Sequence, residues 1–102
     1  MIFIESYIFS KYIPQYMDDA EFSAFQWYLA LNPEAGDMIP RTNGLRKVRW
    51  AGKGHGKRGG IRVIYYFKKS DNQIWLLTVY AKNEMDNIDT NILKLIRQEF
   101  DL

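Results

Sequence analysis

Two runs of β-branched and aromatic residues, IRVIYYF over 61–67 and QIWLLTVYA over 73–81, constrain this chain more than any other feature. Such side chains lose rotamer freedom in a helix but suit a pleated strand. The connection between them ends in Lys69-Ser70-Asp71-Asn72, whose polar side chains bond readily to nearby backbone and favour a turn. The pair reads as an antiparallel hairpin. Upstream, Arg46-Lys47-Val48-Arg49-Trp50 alternates with period two, placing Val48 and Trp50 toward a core and Lys47 and Arg49 the other way. Ile2 to Glu5 reads as a short first strand.

The remaining segments follow a helical period. Ser6 caps a brief helix carrying Phe9 and Ile13, which Pro14 ends. Asp18 and Glu21 form a capping-box pattern ahead of Phe22, Phe25 and Leu29, and Asn32-Pro33 stops that helix. Residues 32–44, rich in Pro, Gly, Asn and Asp, connect it to the strands. A closing helix has Ile88, Ile92, Leu95 and Ile96 as its apolar stripe and Asp86 or Asn87 as its cap. The expected fold is α+β: a small antiparallel sheet packed by N-terminal helices and a C-terminal helix, the helices covering one face. At 102 residues the chain reads as a single domain, 1–102.

Charge is distributed unevenly. The formal net charge is only +2. Yet Arg41, Arg46, Lys47, Arg49, Lys53, Lys57, Arg58, Arg62, Lys68 and Lys69 fall in a stretch whose nearest acids are Asp37 and Asp71. The acids gather instead at Asp18 to Glu21 and Glu84 to Asp89. A basic middle third of this density suits a polyanionic partner or, more simply, a solvated hairpin. The chain has no cysteine, so it carries no disulfide and no thiolate nucleophile, which fits a reducing cytoplasm. No apolar run reaches the length of a membrane span.

Several small-site readings fail on context. Gly54-His55-Gly56-Lys57-Arg58-Gly59 matches G-x-G-x-x-G, but a dinucleotide cradle needs a helix after it and here a strand pattern follows. His55 is the only histidine, and nearby residues supply no zinc partners. Most strand aromatics read as core. Tyr80 is the candidate for stacking on a base, because it shares a strand face with Lys82.

Three blocks then carry a family likeness: Gly44 to Arg49, Gly56 to Tyr66, and Leu77 to Glu84 (LTVYAKNE). In order and spacing they resemble the HigB branch of the RelE-like toxins, and the leading strand, LNPEAGDMIP and closing helix extend the match. The resemblance implies a type II toxin–antitoxin toxin. Such a toxin is an endoribonuclease that cleaves messenger RNA in the A site of the 70S ribosome, without metal or other cofactor. It also implies a HigA-like helix-turn-helix antitoxin, contact with promoter DNA only through the antitoxin complex, and a cytoplasmic location. The two non-catalytic rivals are an RNA- or ribosome-binding module and an inactive toxin acting only with its antitoxin.

That chemistry assigns roles. Arg62 clamps the scissile phosphate, Lys53 and Lys57 stabilise charge, and one of those lysines or His55 moves a proton. The family pattern commonly has another basic residue at the position of His55. Lys82 and Tyr80 complete the pocket, while Arg46, Lys47, Arg49 and Arg58 hold RNA backbone. Arg97 reads as a surface residue.

Overall fold

The computed structural model describes residues 1–51, 60–84 and 88–100. Among these, five strands make one sheet: β1 (Ile2–Glu5), β2 (Asp37–Met38), β3 (Leu45–Trp50), β4 (Ile61–Lys68) and β5 (Gln73–Ala81), in spatial order β1-β5-β4-β3-β2. Three helices accompany them: α1 (Tyr7–Tyr12), α2 (Asp19–Leu31) and α3 (Thr90–Glu99).

The β4–β5 hairpin forms as its composition predicts. Its tip is a single 3₁₀ turn, Lys69–Asp71, closed by Asn72 at φ 54° and spanned by a 3.1 Å ion pair between Lys68 and Asp71. Asparagine tolerates this left-handed geometry better than most residues. The register slips once. Ile64 faces Thr78 but Tyr65 faces Leu76, leaving Leu77 as the extra residue of a bulge. Ser6 fastens the bulge to α1: its amide donates to the Leu76 carbonyl at 2.9 Å and its hydroxyl to the Leu77 carbonyl at 2.7 Å. The same hydroxyl accepts the Phe9 amide at 2.9 Å and so caps α1 as the sequence suggests.

The sheet is antiparallel except at one edge. There β1 lies parallel to β5, from Ile2 opposite Gln73 to Glu5 opposite Leu76. Expectation and structure also part over how the sheet is covered. On one face Phe9, Ile13, Phe25 and Leu29 pack on Val48, Val63, Tyr65 and Ile74. On the other, Leu45, Ile64, Leu77 and Tyr80 meet Leu93, with Ile96 and Phe100 around them. Helices therefore cover both faces and not one, because the second face is itself apolar and must be removed from water.

The closing helix is correct in place and different in detail. Its cap is Asp89, whose carboxylate accepts the Asn91 amide at 2.8 Å. Asp86 and Asn87 lie outside the described residues. Leu93 (2% exposed), Ile96 and Phe100 face the sheet, while Ile92 (51%) and Leu95 (64%) face solvent. This rotation brings Phe100 onto Trp75, ring centroids 6.0 Å apart. At α2, the Asp18 carboxylate accepts the Glu21 amide at 2.7 Å. The Glu21 side chain accepts the Trp50 indole N–H at 3.3 Å, joining that cap to β3.

Candidate nucleic-acid interface

Strand register decides which basic residues can meet. Residues directly opposite in an antiparallel pair share a face, with strands about 4.8 Å apart. Arg49 faces Arg62 across β3–β4, and Arg62 faces Tyr80 across β4–β5. These three side chains thus form one row on the face that also holds Leu45 and Ile64. Lys47, opposite Ile64, begins the next row on the same face. Arg49 is exposed and Arg62 half-buried; the Arg62 guanidinium reaches its neighbour's carbonyl, Ile61 O, at 3.4 Å.

The row stands at one end of the sheet. Trp50 pairs with Ile61 there, and Gly60 follows its own left-handed path at φ 71°. A Cβ on Gly60 would lie 2.4 Å from the Trp50 carbonyl oxygen, so only glycine fits. The Lys82 amide donates to Gly60 O at 3.2 Å, putting this exposed lysine at the same end. Lys53, His55, Lys57 and Arg58 lie outside the described residues, but the flanking Ala51 and Gly60 both sit beside the row.

The turn that carries Lys82 is anchored from the opposite layer. Tyr16 donates its hydroxyl to Glu84 Oε1 at 2.6 Å, and the same oxygen accepts the Ala81 amide at 3.2 Å. Burial and this bond to an anionic acceptor push the Tyr16 phenol up to about 12.

Two sequence readings change in detail. Tyr80 is 4% exposed and packs with Leu45, Ile64, Leu77 and Leu93, so its ring is part of the core and not an open stacking platform. Arg46 points to the opposite face from Lys47 and Arg49. It pairs with Glu34 at 3.2 Å and donates to the Gly36 carbonyl at 2.7 Å, tying β3 to the connection after α2. Arg49 gains importance, since only the register reveals that it stands beside Arg62. Its i, i+2 spacing from Lys47 placed it on the right face, but its partner across the gap depends on a strand register that local pattern does not reveal.

Among the described residues, no group of three His, Cys, Asp or Glu side chains gathers where a metal ion could sit. Nor is any described helix long and apolar enough to cross a membrane.

Comparison with known proteins gives two findings. Residues 41–99 match the family described as the RelE toxin of the RelE/RelB toxin–antitoxin system. A mutant of the Escherichia coli toxin RelE, solved in the free state, has a similar fold: TM-score 0.62 at 11% identity, covering 94% of this chain and 95% of that one.

Proposed function

This chain belongs to the RelE toxin family of toxin–antitoxin systems, and from that premise we propose that it is an endoribonuclease that cuts messenger RNA on the translating ribosome. The observation that carries this reading is the cross-strand row of Arg49, Arg62 and Tyr80 beside both ends of the basic 52–59 segment.

The reaction is an intramolecular transfer. The ribose 2′-oxygen attacks the adjacent phosphorus and forms a bond to it, and the bond from phosphorus to the next nucleotide's 5′-oxygen breaks. The products are a 2′,3′-cyclic phosphate and a free 5′-hydroxyl. A base takes the 2′-proton, an acid returns a proton to the leaving oxygen, and cations stabilise the crowded phosphorus between them. Two guanidiniums about one strand spacing apart suit that last task, because each planar fork can hold two phosphate oxygens and keeps its charge. We assign Arg62 and Arg49 to the phosphate. Lys53, Lys57 and His55 supply further charge and the proton relay, and Lys82 approaches from β5. Buried Tyr80 supports Arg62 from below.

The physiological partner is a HigA-like antitoxin with a helix-turn-helix domain, which links the toxin to promoter DNA, and the site of action is the cytoplasm. Purified Arg62→Ala, Arg49→Ala and Lys57→Ala proteins, checked for folding by circular dichroism, test the assignment on translating ribosomes. Each should cut on the order of 100-fold more slowly than the parent. Cleavage near the parental rate by both arginine variants would remove this site. Intact messages from the parent itself would favour a binding module.

A further inference from the structure

A second cluster of positive charge stands away from that row. A pocket of 280 Å³ opens between α3 and the turn before β3, lined by Arg41, Thr42, Asn43, Lys94, Arg97 and Gln98. Every one of these side chains is polar or cationic, and none is a carboxylate. Neither Arg41 nor Lys94 forms an ion pair with a described residue.

The turn is built rather than loose. Arg41 (φ 63°), Asn43 (φ 59°) and Gly44 (φ 107°) all take left-handed backbone, an uncommon state for arginine. The buried Thr42 between them donates its hydroxyl to the Ile39 carbonyl at 2.7 Å. Arg97 braces the turn from α3, with its Nε donating to the Asn43 carbonyl at 3.1 Å and its guanidinium 5.1 Å from the Tyr66 ring centre. Tyr66 lies on the same face of β4 as Arg62, four residues along, or about 13 Å at strand spacing. Lys47 comes between them on β3. Cations therefore run along this face from the Arg49–Arg62 row to the pocket.

We propose that Arg41, Lys94 and Arg97 form a second phosphate-backbone site for single-stranded RNA, a few nucleotides from the bond cut at Arg62. An acidic protein segment would seek apolar anchors at the centre of its contact. This lining offers none, and wet, strongly positive surfaces are what nucleic acid selects. The site rests on the nuclease reading for its substrate class, yet the two can fail separately.

The test uses the Arg41→Ala/Lys94→Ala double variant, since both side chains are exposed and neither forms an ion pair with a described residue. The probe is a fluorescent 2′-O-methyl RNA oligonucleotide, which lacks the attacking hydroxyl and cannot be cut by the proposed route. Binding is followed by anisotropy over a range of salt, with poly-glutamate in parallel. The variant should bind RNA about tenfold more weakly, with a log–log salt slope shallower by roughly 1.4 for two lost contacts on a single strand. RNA binding equal to the parent's, or a loss confined to poly-glutamate, overturns the proposal; the latter assigns the pocket to a protein partner. If the parent cuts no message while its RNA binding still depends on the pair, the nuclease reading falls and this site stands.

Discussion

Tyr16 illustrates how one side chain can couple two layers of the molecule. Its hydroxyl crosses from the segment after α1 to Glu84, beyond the end of β5, where the Lys82 turn begins. The neutral phenol is the form the fold favours, so its pKa of about 12 lies above the ordinary 10.0. The unfolded chain then gives up this proton first. The contribution to stability is complete below pH 10 and is lost as the pH rises through 12. Comparing urea midpoints at pH 8 and pH 11 should show the parent losing its advantage over Tyr16→Phe across that window. At pH 8 the advantage should be about 1 kcal/mol, because the bond is partly exposed to solvent. Other residues were also informative from the sequence. Ser6 and Asp18 announced their caps because small polar side chains ahead of an apolar helical pattern have few other uses. Alternation put Arg46 and Arg49 on opposite faces, but which face meets Glu34 depends on contacts distant in the chain.

Among the elements, α3 separates what periodicity can and cannot decide. Apolar residues at 88, 92, 93, 95, 96 and 100 contain two overlapping stripes, and either makes an amphipathic helix. The choice falls to the sheet, whose Trp75 receives Phe100 and so turns Leu93 inward. Leu93→Ala should cost about 2–5 kcal/mol in chemical denaturation, and Ile92→Ser less than about 0.5 kcal/mol. Equal costs would mean that the helix sits in the other rotation. The β4–β5 hairpin was legible because alternation, composition and turn residues agree. Its bulge was not, since nothing in QIWLLTVYA marks which leucine is supernumerary. Across that slip the alternation changes parity, so Ile74, Leu76 and Val79 serve one core while Leu77 and Tyr80 serve the other.

At the scale of the whole molecule, the strongest constraint is long-range. The family likeness came from ordered blocks along the chain and the α+β class from local periodicity, whereas the sheet order brings together segments far apart in it. Pairing of that kind requires a wide loop to close before any contact rewards it, which slows folding. Chains stalled on the ribosome before residue 81 emerges should remain open to protease, and those stalled well past the end of α3 should resist it. The parallel partnership at the sheet's rim carries this order into synthesis. Because the first strand made must wait for the last, the sheet whose inner strands seat Arg49 and Arg62 stays open at that rim until synthesis is nearly done.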